Sequence, residues 1–286
     1  MITGAMKTTA MDVLEVMANL LPFHLLVDKY RHRAAIRLAT LPGSHLLHKP
    51  VANAASRLVK RHPTPLHDLM HRYGIQPHKV ETIEAVCFDT GWKPGLTTKV
   101  ITDTDKVIEE IQNDNPDVKV FTDGSGMEGK IGAAAVLYRN GNLKTKLRHQ
   151  LGTQRQHTVY EGEGIGIVLG ARLISNEWNI WLANFYIDNR ASITATQLTK
   201  PNPGHYIFDA LHKSITSIWR KHTGIKITVK WVPGHKGVEG NEQADEEAKK
   251  AITEGSSDTH NLPKLLRKTL PHSKSAIKWS HNEKLK

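Results

Sequence analysis

The order of elements along the chain predicts an α/β fold, a mixed β-sheet with helices on both faces. Three alternating apolar runs between Val118 and Leu151 are separated only by turns, as in an antiparallel meander. From Thr158 to Ile252 helical and strand patterns then alternate, which calls for crossover connections and parallel neighbours. Proline-broken helical patterns precede this region and a polar, basic stretch follows it.

Residues 1–86 read as a small basic helical module. Thr9 with Asp12 three positions on resembles a capping box, followed by a helix to about Leu20 that stops near Pro22. Phe23 to Thr40 places Leu26, Tyr30, Ala34 and Leu38 at helical spacing, and Pro42-Gly43 ends it. Val51 to Arg61 is a third helix with Arg57, Lys60 and Arg61 near its C-terminus, where the dipole favours cations. Leu66 to Arg72 is a short fourth, after Pro63 and Pro65. The cations of this module either contact nucleic acid or form a solvated face. Residues 87–115 read as a linker, with a turn at Trp92-Lys93-Pro94-Gly95 and a helical turn over Lys106 to Gln112.

Residues 116–254 carry the α/β pattern. Val118, Val120 and Thr122 alternate with Lys119 and Phe121 in a strand that ends at Asp123, before Gly-Ser-Gly. Gly132 to Tyr138 and Leu143 to Leu151 are the next strands, joined by Asn140-Gly141, a strong hairpin signal. Thr158 to Asn176 is a helix, and Ile180 to Ile187 a strand ending at Asp188. A short helix over Ala191 to Leu198 is closed by Pro201 and Pro203; Tyr206 to His222 is longer, with Ile207, Leu211, Ile215 and Ile218 on one side. Ile225 to Val232 is the fifth strand and Glu239 to Ile252 the last helix. From Gly255 a polar linker leads to a basic tail, residues 255–286, where Lys264, Arg267, Lys268, Lys274 and Lys278 are interleaved with Leu265, Leu266, Ile277 and Trp279. The tail is either a disordered solubilising end or a nucleic-acid contact.

A net charge of +11 over 286 residues favours a polyanionic partner. The single cysteine, Cys87, makes no internal disulfide and no Cys-x-x-Cys zinc pattern, which points to a reducing compartment. The scattered histidines, 17 in all, form no metal signature. No apolar run is long enough to span a bilayer, and the N-terminus lacks a signal-peptide pattern. The expectation is an intracellular protein, nuclear or cytoplasmic, with no membrane partner.

Four acids stand where chemistry needs them. Asp123 and Asp188 end strands, Glu163 lies early in a helix, and Asp245 opens the last helix. If the two strands pair, the Asp residues come together, since paired strands lie about 5 Å apart. Clustered carboxylates repel, and a divalent cation removes that cost. All-oxygen ligands suit Mg²⁺, or Mn²⁺ as a substitute. Two such ions suit phosphodiester cleavage.

Five motifs, in order, carry a family likeness: Thr122-Asp123-Gly124-Ser125, Tyr160-Glu161-Gly162-Glu163, Tyr186-Ile187-Asp188-Asn189, Trp231-Val232-Pro233-Gly234-His235-Lys236-Gly237 and Asn241-Glu242-Gln243-Ala244-Asp245. Residues 116–254 resemble type 1 ribonuclease H. The resemblance implies a five-stranded sheet of order 3-2-1-4-5 and cleavage of the RNA strand of an RNA–DNA hybrid with two Mg²⁺ ions. It matches Asp123, Glu163, Asp188 and Asp245 to the family's metal-binding acids and His235 to its mobile catalytic histidine. Glu163 rather than Glu161 aligns, because Ile165, Ile167, Val168 and Leu169 follow it; residues i and i+2 point to different sides of a helix, so both cannot face the metals.

Gly162, Gly164, Gly166 and Gly170 crowd this helix, each at roughly 0.5–1 kcal/mol relative to Ala. Either close packing on the sheet offsets that cost, or the domain is weakened and its activity in doubt. Rival functions are therefore a catalytically weak hybrid- or RNA-binding module, a DNA-processing nuclease or integrase of the same fold class, and a structural connector. The flanks, Leu20-Leu21-Pro22-Phe23-His24-Leu25-Leu26, Arg33 to Pro42 and Ser273-Lys274-Ser275-Ala276, are similar to segments around the ribonuclease H domain of fungal non-LTR retrotransposon polyproteins, and the opening Ile2 to Thr9 to the region after the reverse transcriptase palm. The resemblance implies a Tyr-x-Asp-Asp turn in the palm; with no Asp-Asp pair, the chain is not a complete polymerase, and a fragment or a host gene derived from such an element fits. Oligomeric state is left open.

Overall fold

The computed structural model describes residues 6, 8–84, 93–100, 103–198 and 200–285. Cys87, the Trp92 end of the expected turn and most of the opening segment lie outside them. The chain divides into two compact units, Met1–Thr82 with Ile277–Lys286, and Ile83–Ala276.

The first unit holds α1 (Met11–Met17), α2 (Phe23–Ala39), α3 (His48–Ser56) and α4 (Pro65–Arg72). Four expectations need correcting. Ala10, not Thr9, precedes α1, and Asp12 accepts a bond from Val13 N rather than closing a capping box. Helix α1 also ends at Met17, short of Leu20, and Asn19 has a left-handed φ of 52°. The buried face of α2 is His32, Ala35, Ile36 and Ala39, about one residue round from the expected stripe, and Tyr30 is exposed. Ala35, Ile36 and Ala39 pack with Val51 and Met70, so small side chains allow close helix contact. Helix α3 stops at Ser56, since Arg57 is extended, and the cations at 57, 60 and 61 lie beyond its end.

The second unit begins with β1 (Thr97–Lys99) and α5 (Thr104–Asn113), followed by β2 (Val118–Met127), β3 (Lys130–Arg139) and β4 (Asn142–Thr153). Then come α6 (Val159–Asn176), β5 (Leu182–Ile187), α7 (Arg190–Ala195), α8 (His205–Lys221), β6 (Lys226–Trp231), α9 (Glu239–Glu254) and α10 (Lys274–Lys284), the last running into the first unit. Among the described residues the sheet has six strands in the order β1-β6-β5-β2-β3-β4. Counted from Val118, the other five strands follow the expected 3-2-1-4-5. The sixth, β1, pairs parallel with β6 over three residues; so short an exposed strand leaves little pattern to read.

Both faces are covered. On one, α6 and α8 bury Ile165, Leu169, Phe208 and Leu211 against Val120, Phe185 and Val229. On the other, Phe121 and Tyr186 stack at 4.7 Å and pack with Val107 and Ile111 of α5 and Ala244 of α9. The stretch read as a linker thus contributes a helix. Asp114 at its end accepts bonds from Asn184 Nδ2 at 2.7 Å, Lys230 Nζ at 2.6 Å and the Tyr186 hydroxyl. Nor is the stretch after α9 merely polar: Leu262, Leu266 and Leu270 are buried in the main core, and Arg267 donates to the Leu262 and His260 carbonyls.

The glycines of α6 are explained by contact. A Cβ on Gly162 would lie 3.1 Å from Gly132 O, one on Gly166 would lie 3.0 Å from Asp123 O, and one on Gly170 would lie 2.6 Å from Phe185 Cε1. From the strand side, a Cβ on Gly124 would lie 2.2 Å from Glu163 N. The backbones of β2 and α6 meet with no room for side chains. Gly164 differs, since its added Cβ would meet only Ile207 and Phe208 side chains at 3.1 Å or more. Urea unfolding of two variants tests this. Gly124→Ala should lose about 1–3 kcal/mol or more through overpacking against fixed backbone. Gly164→Ala should be close to neutral, its gain in helix propensity set against mild crowding. Equal effects would contradict the contact account.

Candidate active site

The sheet register brings the site together. Strands β2 and β5 run parallel with Thr122 opposite Ile187. The expected strand end at Asp123 needs correcting, since β2 continues to Met127 paired with β3; only its pairing with β5 stops at Thr122, so Asp123 lies within β2 beside Asp188, which follows β5. Helix α6 delivers the third acid. Its start is fixed by a capping box, in which Glu161 N donates to Thr158 Oγ1 at 3.3 Å and Thr158 N to Glu161 Oε2 at 2.8 Å. That bond turns Glu161 back to the helix end. Glu163 instead meets Asp123 of β2 and Asp188 just past β5, and carboxylate oxygens of the three lie within 4.8 Å of one another. The pattern Thr158-x-x-Glu161 was itself readable as a cap in the sequence.

The remaining two expected residues form an adjoining group. His235, Glu242 and Asp245 offer ligand atoms within 4.8 Å of one another. His235 is exposed in the loop between β6 and α9, with φ 51°, and Gly237 beside it has φ 72°. Asp245 lies close enough to raise the pKa values of Asp123 and Asp188, and it accepts from Lys249 Nζ at 2.6 Å. Glu242 joins the group without having been singled out as a ligand. Two asparagines were quoted in the motifs without a role. Asn241 is buried and hydrogen-bonded to Asp188. Asn189 caps α7 through Ser192 N at 3.1 Å and bonds Glu163. The Asp188 carbonyl accepts from Trp231 Nε1 at 2.9 Å, which locks the strand end.

Electrostatics at this cluster are unfavourable to three bare carboxylates. Glu163 is 5% exposed and Asp123 7%. Burial, then Asp123 and Asp188, push Glu163 up to about 9. Burial, then Asp188 and Asp245, push Asp123 up to about 7, against the opposing Gly124 N–H and His235. Burial also raises Asp188, although Asn241 and His235 oppose it. Glu163 Oε2 is buried with no hydrogen-bond partner. An unpartnered carboxylate oxygen in an all-oxygen cluster fits a hard divalent cation such as Mg²⁺.

Residues 115–253 match the family model described as RNase H. A ribonuclease H of Francisella philomiragia subsp. philomiragia is 32% identical over 90 residues, which are 32% of this chain and 52% of that protein. The chain thus spans about half the length of the curated relative it matches. Among solved structures, RNase H1 of the halophilic archaeon Halobacterium salinarum NRC-1 aligns with 48% of this chain and 98% of its own, at 15% identity and a TM-score of 0.36. The N-terminal RNase H domain of a Mycobacterium tuberculosis protein aligns with 49% and 96%, at 16% identity and a TM-score of 0.37. Among the described residues no helix is long and apolar enough to cross a membrane.

The raised carboxyl values set a pH dependence for the metal-free protein. An acid that holds its proton longer when folded stabilises the fold at low pH and loses that contribution as pH rises through its folded value. For Glu163 the window runs from 4.5, its ordinary value, to about 9. In EDTA, wild type and Glu163→Gln should be similarly stable near the bottom of this window. Toward its top, wild type should fall behind by up to about 1.4 kcal/mol per pH unit. Millimolar Mg²⁺ should restore wild type alone. Parallel stability curves for the two proteins in EDTA would contradict the shift.

Proposed function

We propose that this protein is a metal-dependent hydrolase that cuts internally in the RNA strand of RNA–DNA hybrids, with Asp123, Glu163, Asp188 and Asp245 as metal ligands for two Mg²⁺ ions. The observation that carries the reading is the convergence of two buried carboxylates, Asp123 of β2 and Glu163 of α6, with the half-buried Asp188 after β5, and with Asp245 and His235 alongside. The match of residues 115–253 to the RNase H family model supports it. Bound divalent ions would supply an activated water and stabilise the leaving oxygen.

The chain's residues divide the remaining work. Asp123 and Asp188 would hold both ions between them, and Glu163 and Asp245 would complete one site each. Asn241 and Asn189 orient Asp188 and Glu163. His235, on its exposed loop, gives a proton to the departing 3′-oxygen or assists product release. The net charge of +11 favours the polyanionic backbone and makes affinity salt-dependent, and the 2′-hydroxyl marks the RNA strand. The binding-only alternative rested on the glycines of α6; the close backbone contacts of Gly162 and Gly166 speak for the catalytic reading. From the flanking likeness we also infer a retroelement-derived polyprotein; an adjacent upstream coding region lacking a Tyr-x-Asp-Asp turn would argue against it.

The test is cleavage of a labelled RNA–DNA hybrid with Mg²⁺ and with EDTA. Wild type should cut only with Mg²⁺, Asp123→Asn and Asp188→Asn should abolish cutting while remaining folded, and Mn²⁺ should substitute. His235→Ala should keep measurable turnover, reduced by about 10²-fold or less. Metal-independent cutting, or equal turnover in the Asn variants, would refute the assignment.

A further inference from the structure

Two tryptophans are displayed at the sheet end away from the acids. They lie in the segment between α6 and β5, where Trp178 is 70% exposed and Trp181 67%. Asp188 leaves the opposite end of β5, roughly 20 Å away at the usual strand rise. Large aromatic side chains normally lose most of their exposure on folding, so two exposed within one short segment call for a reason.

The segment that carries them is pinned. Ile180, between them, is buried in the main core. Glu177, also buried, accepts from Arg139 Nη1 and Lys144 Nζ, both at 2.7 Å. Asp117 accepts from Trp181 N at 2.6 Å and Leu182 N at 2.9 Å. Lys221 donates to the carbonyls of Ser175 and Glu177, and its ammonium lies 4.1 Å from the centroid of the Trp178 ring. The rings therefore stand on a fixed base, and binding on them orders little else. Trp181 lies over Gly224, which offers it no side chain.

Charge around the rings is positive. The last turn of α8 and the start of β6 add Arg220, Lys221 and Lys226, all exposed. The two nearby acids are occupied, Glu177 by two cations and Asp117 by two backbone N–H groups. Exposed indoles with interleaved cations complement a strand whose bases are free to stack and whose backbone is anionic. We propose that Trp178 and Trp181 form a stacking platform for single-stranded nucleic acid, a second contact separate from the acidic cluster. It uses none of the acids, so it stands or falls independently of hybrid cleavage.

The test is fluorescence anisotropy of the full chain with a labelled oligothymidylate of about 15 nucleotides, in EDTA at low salt. Wild type should bind with a salt-dependent affinity. Trp178→Ala/Trp181→Ala should weaken binding at least about fivefold without lowering the thermal midpoint, since neither ring is part of the core. Trp178→Phe/Trp181→Phe should bind like wild type, because a phenyl ring also stacks. Equal binding by wild type and the Ala variant would overturn the proposal, as would failure of the Phe variant. So would a concentration-dependent oligomer, seen by sedimentation, that only the Ala variant loses; the patch would then join copies of this chain.

Discussion

The contact on which the site depends is the backbone approach of α6 to β2. Gly124 on the strand leaves no space for a Cβ against the Glu163 amide, and from the helix side a Cβ on Gly162 or Gly166 would crowd backbone oxygens at 3.0–3.1 Å. This brings the first turns of α6 onto β2 at Asp123 and Gly124, so Glu163 reaches Asp123 and Asp188. A helix with ordinary side chains at these places would ride higher and carry its carboxylate away. Gly162 and Gly166, which cost helix propensity, together with Gly124 therefore set the geometry, and the cost is met by burial of Ile165, Ile167, Val168 and Leu169 in the same helix.

The same contact creates an electrostatic problem. It buries two carboxyl groups beside a third, and burial raises all three above their ordinary values. The chain supplies only part of the compensation: the Gly124 N–H, Asn189, Asn241, His235 and Lys249 each favour a charged neighbour. One Glu163 oxygen is left without a partner. A site that the fold makes costly and leaves incompletely paired is one that a divalent cation completes.

Much of this was legible in the sequence, for local reasons. Alternation gave the strands from Val118, and Asn140-Gly141 forms the hairpin with both residues at positive φ. Helix α6 showed its start in Thr158 and Glu161, and reading those two as a cap separates Glu161 from Glu163 without any likeness to a family. What local pattern did not give depends on distant partners. Helix α5 is held by Asp114 to Tyr186 and Lys230, across 72 and 116 residues. Leu262, Leu266 and Leu270 looked like part of a basic tail until the sheet supplied a core for them. On α2, apolar residues occur on more than one side, so its buried face is decided by Val51 and Met70.

The central claim is that the fold itself holds Glu163 protonated at neutrality, and raises Asp123 to the neutral range, until a cation arrives. Carbon-13 NMR of the side-chain carboxyls, titrated with pH in metal-free protein, measures it directly. Glu163 should titrate near 9 and Asp123 near 7, and both should ionise at much lower pH once Mg²⁺ is added. Titration of both groups at their ordinary values, 4.5 and 3.8, with no response to Mg²⁺, would contradict the account.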